Sequence, residues 1–391
     1  MIPLKTAIAK DTQALDLGEK NSCYTSAGLD EQYDHLLSDI EHQDIFNVNI
    51  AGRMDKWTLD YLMFKDKTDQ ALSLPGLFEK ISRFNNAITS KIIQNSITRL
   101  ETNNNMVPPL PFCWISMGSD ARGEQVIRTD QDNALIYADP IGGMEEQAKE
   151  YFQALAKEVT CDLDRFGFTL CKGDVMATNP EWCRSLGQWL VALDDWVGST
   201  SSEAVRKLTI LLDFKPVFGD NRLAATLQTR VFTNFEKHES ASHFLVRDDQ
   251  LFAPPKTRFN RIRTVRKNGC AKCFNLKTQA IAHIVNGARL FAVNHGIRIP
   301  STLERLKQLK DETVLTKEEF QDFTQAFIFL TRLKLTTHLD GSAKHLPSNC
   351  IDLATLETDL KKNLNKTLDS VARFQKKMAD TYNQAWMNFF N

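Results

Sequence analysis

The sequence predicts an α+β fold, in which a mixed sheet with crossing helices is flanked by an N-terminal helical region and a C-terminal helical bundle. Three observations carry this. Short apolar runs of strand character are confined to residues 106–220. Apolar stripes stepping by three and four dominate everything after them. The first 105 residues are polar and helical in pattern, without the turn-rich punctuation of strands. A chain of 391 residues also exceeds one ordinary domain. Three segments are therefore expected: 1–105, 106–220 and 221–391.

The clearest helix of the first segment runs from about Leu77 to Leu100, with Leu77, Ile81, Phe84, Ile88, Ile92 and Leu100 on one stripe. Asn103-Asn104-Asn105 ends it, and Pro108-Pro109-Leu110-Pro111 forces an extended path onward. Phe112 to Met117 then reads as a buried strand, Ala134 to Tyr137 as a second and Leu208 to Leu212 as a third. A helix from about Met144 to Phe166 crosses between the last two. The third segment reads as helical. Leu353, Leu356, Leu360, Leu364, Leu368, Val371, Phe374, Met378, Tyr382 and Trp386 form one stripe, which needs partner helices to bury it. Phe320, Phe323, Phe327 and Leu330 give a second stripe, and Ala280 to Phe291 a third.

Charge is balanced, with 48 basic and 49 acidic residues, so no global field draws the chain to nucleic acid or an anionic membrane. No secretory leader is expected, nor any apolar stretch near the roughly 18–20 residues that a membrane span needs. Eight scattered cysteines read as free thiols in a reducing, cytoplasmic setting. Cys270 and Cys273 form a lone C-x-x-C with no second pair at zinc spacing, and read as thiols in a loop. Lys256, Arg258, Arg261, Arg263, Arg266 and Lys267 read as a solvated linker, against a polyanion patch. Trp182, Trp189 and Trp196 recur every seven residues and read as core, against a stripe for an acceptor or base. No H-E-x-x-H, G-x-S-x-G or Walker A pattern occurs, which removes the metalloprotease, serine hydrolase and P-loop classes.

The chemistry is concentrated in Gly118-Ser119-Asp120-Ala121-Arg122-Gly123-Glu124-Gln125, followed by Asp130-Gln131-Asp132-Asn133. A strand ends at Met117, and glycine lets the backbone approach a ligand closely. Ser119 or Asp120 is placed to cap a short helix whose first N–H groups point outward, a cradle for phosphates. Asp130 and Asp132 introduce the next strand, where residues two apart face one side. Paired carboxylates raise each other's pKa unless a cation neutralises them, and magnesium takes one or two carboxylates plus substrate phosphates. Asp213, ending the apolar run Leu208 to Leu212, is placed in sequence to supply a third carboxylate. A second D-x-D, Asp162 and Asp164, closes a helical segment and reads as solvated surface.

Gly118-Ser119-x-x-Arg122-Gly123-Glu124-Gln125 with Thr129-Asp130-Gln131-Asp132-Asn133-Ala134 resembles the nucleotidyltransferase domain of bacterial DUF294-type signalling proteins. These are related to the N-terminal domain of protein-PII uridylyltransferase and to glutamine-synthetase adenylyltransferase, in the polymerase-β-like superfamily. Asn179-Pro180-Glu181-Trp182-Cys183 and Asp213-Phe214-Lys215-Pro216-Val217-Phe218-Gly219-Asp220 fit the same family. Asn275-Leu276-Lys277, Ala288-Arg289 and Thr302-Leu303-Glu304-Arg305-Leu306 resemble its helical substrate-binding domain. The resemblance covers about 106–390. It implies NMP transfer from an NTP, UTP or ATP, to a protein or small-molecule hydroxyl, with pyrophosphate released. Asp130, Asp132 and Asp213 would hold two Mg2+ ions, with Mn2+ as the alternative, and Asp213 would take the acceptor's proton. Gly118 and Ser119 would hold the triphosphate. Arg122 and Glu124 would orient the loop or bind nucleotide, or form a structural ion pair.

This chain departs from the family at Ala121, where relatives have glycine, at Lys215 for arginine, and at Asn275 for aspartate. Relatives carry cyclic-nucleotide-binding or CBS modules upstream. The 105 residues here are too few for a CBS pair with its connecting helix, which leaves sensory input absent or supplied by a partner protein. The rival reading is a non-catalytic nucleotide-binding module that regulates a partner through its helical faces.

Overall fold

The computed structural model describes residues 26–63, 73–125, 130–252, 255–257, 259, 261–267, 270–339 and 349–389. Thr129, Arg258 and the side chains of Lys267 and Trp386, all quoted above, lie outside the described residues. Helices α1 (Ser26–His42), α2 (Ile50–Met63) and α3 (Leu74–Asn104) come first. Ser73 starts α3 by accepting a hydrogen bond from the Gly76 amide, with a proline in the first turn. Asn105, at φ 54°, ends it in a left-handed cap. The expected stripe from Leu77 to Leu100 is buried throughout. The Trp57 indole donates to the Leu29 carbonyl and packs between Tyr33 and Tyr61, which locks α1 to α2.

The main sheet holds β1 (Phe112–Met117), β2 (Asn133–Tyr137), β3 (Cys183–Ser185) and β4 (Phe214–Gly219) in the order β3-β2-β1-β4. β1 runs antiparallel to β2 and β4, while β2 and β3 are parallel. Every residue of β1 and β2 is buried, which explains their unalternating apolar sequence. Between these strands lie the short turn α4 (Gly118–Ala121), then α5 (Glu145–Phe166), α6 (Leu186–Gly198) and α7 (Ser202–Leu211).

The third expected strand is one element out of place. Leu208–Leu211 belongs to α7, which Ser201 caps by accepting from the Ala204 amide. Ala204, Val205, Leu208 and Leu211 bury one helical face, so a short apolar run that fits either period was completed as helix. The strand is β4. It tolerates Pro216 because it is an edge strand, with a register shift opposite Trp114 and Ile115.

The C-terminal part contains α8 (Asn221–Lys237), α9 (Glu239–Gln250), α10 (Ala282–Asn294), α11 (Thr302–Asp311), α12 (Lys317–Leu339) and α13 (Thr358–Phe389). α13 packs on α9, α10 and α12. Its Phe374 stacks between Phe291 and Phe323, with ring centroids 6.0 and 4.1 Å away. Leu353 and Leu356 precede this helix and do not extend its stripe. The bundle also carries a small sheet that the helical reading missed: β5 (Val265–Lys267), β6 (Cys270–Asn275) and β7 (Cys350–Asp352), in that order. β5 and β7, at three residues each, are too short to show alternation. Cys270 and Cys273 therefore sit in a strand rather than a loop, buried with Cys350.

One continuous apolar core joins the N-terminal helices, the main sheet and the bundle. Trp182, Trp189 and Trp196 form a mutually packed, buried trio within it, with centroids 5.8–6.2 Å apart. Asp162 is not solvated surface. It is buried and ion-paired to Arg99 and Arg165, whereas Asp164 is exposed. Among the described residues, no helix is long and apolar enough to cross a membrane.

Candidate active site

The site begins where β1 hands over to α4. Gly118 has φ +60°, a conformation that L side chains rarely adopt, and a Cβ there would stand 2.7 Å from Asp132 Oδ2. Two backbone bonds hold the turn: Met117 N–H to the Asp132 carbonyl at 2.8 Å, and Gly118 N–H to the Asp213 carbonyl at 3.0 Å. The short helix is not capped by Ser119 or Asp120. Extended Met117 occupies the cap without a side-chain bond, and Ser119 sits half-buried in the turn. Gly118→Ala should therefore push Asp132 aside and cost about 1 kcal/mol or more of stability, together with metal and nucleotide binding. Calorimetric titration with a thermal melt checks both.

Asp130 and Asp132 come together with Cys171, and one ligand atom from each lies within 4.8 Å of the others. The thiol reaches this point because its loop is stitched to the carboxylate segment. Gln131 N–H bonds the Thr169 carbonyl at 2.8 Å, Asn133 N–H bonds the Val175 carbonyl at 3.2 Å, and Ala177 N–H bonds Asn133 Oδ1 at 2.9 Å. No local spacing marks Cys171 in the sequence, since it comes from the loop after α5. A small pocket of about 30 Å³ adjoins the carboxylates, lined also by Asn85, Thr89, Ser116, Asp120 and Gln125. Ser116 Oγ and Asp120 Oδ1 are buried there without partners. A buried polar atom without a protein partner is commonly met by water or an ion. Oxygen-rich donors, a glycine that clears room beside Asp132 and unsatisfied polar atoms fit a hydrated divalent cation.

Burial, and then the charge of Asp130, push the Asp132 carboxyl up to about 6. Its folded value is raised, so in the metal-free protein its contribution to stability is fully present below the unfolded value of about 3.9. That contribution is lost as pH rises through about 6. A divalent ion needs the ionised form. Metal should thus raise the melting temperature most above pH 6, with the increment fading as Asp132 protonates; melts with and without metal from pH 5 to 8 measure this.

Asp213 is not brought into this group. It is fully buried, and three guanidiniums take its oxygens: Arg122 at 2.7 Å and Arg289 at 2.5 Å on Oδ2, Arg305 at 2.5 Å on Oδ1. Burial works to raise its pKa, but Arg289, Arg305 and Arg122 override it and hold the carboxyl well below the usual range. A metal ion would have to enter among three fixed positive charges. Arg122 and Glu124 form the ion pair that was one alternative for them, at 2.7 Å, with side chains 12% and 6% exposed. Glu124 also accepts from the Thr302 amide at 2.9 Å. Arg289 is oriented by Asn286, which Asp249 holds in turn. The arginines of α10 and α11 thus fasten the bundle to the Gly118 loop. In the sequence Arg289 and Arg305 stand out only within the family-like segments, because nothing local connects them to Asp213.

The family departures have local explanations. Lys215 donates to the Asp120 carbonyl at 2.8 Å and to Ser82 Oγ at 3.0 Å, so a single ammonium ties α4 to α3. Asn275 Oδ1 accepts from the Thr278 amide at 2.9 Å, an anchoring role open equally to aspartate. The bundle also brings charge to the carboxylates. Lys277 acts on Asp132, and Lys334 of α12 feels Asp130. Burial first, and then the like charge of Lys277, push Lys334 down to about 8.

The chain matches the family described as "Putative nucleotidyltransferase DUF294" over residues 63–203. It matches "Putative nucleotidyltransferase substrate binding domain" over residues 239–382. The first span takes in α3 and the strands up to β3, the second α9 to α13. No curated protein matches the chain. With both parts matched in order and most of its length covered, the chain belongs to the DUF294 nucleotidyltransferase family.

Proposed function

We propose that this protein transfers an NMP group, uridylyl or adenylyl, from an NTP to a protein or small-molecule hydroxyl in the cytoplasm, in the manner of protein-PII uridylyltransferase. The observation that carries this reading is the pairing of Asp130 and Asp132 beside a positive-φ glycine, whose missing Cβ leaves room against Asp132. The acceptor hydroxyl gives up its proton to solvent as its oxygen bonds to the α-phosphorus and the bond from that phosphorus to the bridging oxygen breaks, and pyrophosphate leaves with that oxygen. Asp130 and Asp132 hold Mg2+ or Mn2+. Such an ion, when bound, neutralises the triphosphate and steadies the attacking and leaving oxygens. Gly118 and Ser119 bring backbone close to the phosphates. Lys277 and Lys334 add positive charge from the bundle, where pyrophosphate charge develops. Arg122, Glu124 and Asp213 fix the loop instead of touching nucleotide or metal.

One observation favours the rival regulatory module. Asp213 is engaged by arginines, so two carboxylates rather than three face the metal. The test is to incubate the full chain with each α-labelled NTP, magnesium or manganese, and fractionated cell extract. The proposal expects label on an acceptor with equal pyrophosphate. Tight nucleotide binding with no transfer in any fraction would select the regulatory module instead.

A further inference from the structure

Resting on the metal reading of Asp130 and Asp132, we infer that Cys171 is the third protein ligand of the divalent ion, standing where three-carboxylate sites use an acid. The site is accordingly biased toward ions that accept sulfur.

Position is the first argument. The Cys171 sulfur and one oxygen from each carboxylate lie within 4.8 Å of one another, the only such group of three or more candidate ligands among the described residues. That spacing allows one ion to reach all three with small adjustments, since metal–oxygen and metal–sulfur bonds run from about 2.0 to 2.3 Å. Rigidity is the second. The Cys171 loop is bonded to the carboxylate segment from both sides, through Thr169 to Gln131 and through Val175 and Ala177 to Asn133. Cys171 N–H points to Met176 Sδ at 3.4 Å, and its carbonyl accepts from Asp174 N–H at 3.0 Å, so its backbone is fixed on both sides. The third is an independent sign of a ligand. Ser116 is 5% exposed and lines the pocket beside these carboxylates with its Oγ unpartnered. The fourth is the vacancy in the acid set, because Asp213 is bound to three arginines.

Without metal the Cys171 thiol lies within 4.8 Å of the Asp132 carboxylate. On coordination the S–H bond breaks, sulfur keeps the electron pair and bonds the ion, and the proton passes to solvent. Thiolate is a soft donor and carboxylate a hard one. A mixed set therefore gives up part of its magnesium affinity and gains affinity for softer ions such as zinc, cobalt and cadmium relative to three carboxylates.

The experiment titrates the metal-free full chain with Co2+, following the near-ultraviolet sulfur-to-cobalt charge-transfer band and, by calorimetry, the affinities for Co2+, Cd2+ and Mg2+. The inference expects a stoichiometric band in the wild-type protein. The band should vanish in both Cys171→Ser and Cys171→Ala, with Cd2+ affinity falling at least roughly 10-fold and Mg2+ affinity changing much less. Using two variants, each checked by circular dichroism, separates ligand loss from misfolding. Co2+ binding that needs Asp130 and Asp132 but shows no band, or a band unchanged in the Cys171 variants, overturns the inference and leaves the carboxylate site standing. No Co2+ binding that depends on Asp130 and Asp132 overturns the underlying metal reading as well.

Discussion

Asp213→Asn should cost the fold about 3–5 kcal/mol, the size seen when one partner of a buried ion pair is removed. Asp213 is fully buried, and its two oxygens are the common anchor for Arg122, Arg289 and Arg305. The variant keeps the shape and removes the charge, so three guanidiniums remain in one buried site with Glu124 as the one carboxylate still paired to any of them among the described residues. The loss should be local before it is global. α10 and α11, which supply Arg289 and Arg305, should lose amide protection first, since Asp213 ties them to the Gly118 loop. The arginines hold its folded pKa well below the usual range against the effect of burial. A depressed group contributes stability above its unfolded value of about 3.9, and loses it only as pH falls through the folded value. The difference between variant and wild type should thus stay flat from pH 5 to 8. Urea unfolding with hydrogen exchange measures it. A loss under about 1 kcal/mol would mean that the arginines are satisfied without Asp213.

The second large effect is on chemistry. Asp130→Asn or Asp132→Asn should lower nucleotidyl transfer by roughly a thousandfold or more, because a catalytic ion is worth several kcal/mol and about 4 kcal/mol is three decades of rate. Stability should hold or rise, since each change removes one of two mutually repelling, partly buried carboxylates. That opposition distinguishes these positions from Asp213, where stability falls first. Single-turnover rates with melts on the same preparations test it.

How much of this was legible in the sequence depends on how local each signal was. The stripes of α3 and α13 and the unbroken apolar runs of β1 and β2 are local, and all four formed the expected helix or strand, α13 beginning only at Thr358, after Leu353 and Leu356. Gly118 with Asp130 and Asp132 was also legible, since a strand end, a glycine and alternate carboxylates all lie within one supersecondary unit. The Leu208–Leu212 run was ambiguous because both helix and strand fit it, and capping by Ser201 decided it. Asp162 was misread because its partner Arg99 lies on α3, far back in the chain. Asp213 shows the same blindness at larger scale. Its place after an apolar run suggested a metal-facing carboxylate, but its surroundings are set by arginines on two helices of the bundle. Cys171 could not be read from spacing, because only the folded loop carries it to Asp132.

The most direct test of the account is the metal dependence of nucleotide binding. ATP and UTP are titrated calorimetrically into wild-type protein and into Asp132→Asn, each with Mn2+ and with a chelator. The account predicts binding of at least one nucleotide that requires Mn2+ in the wild-type protein and is lost in Asp132→Asn. Equal binding with and without metal in both proteins would contradict a metal site at Asp130 and Asp132.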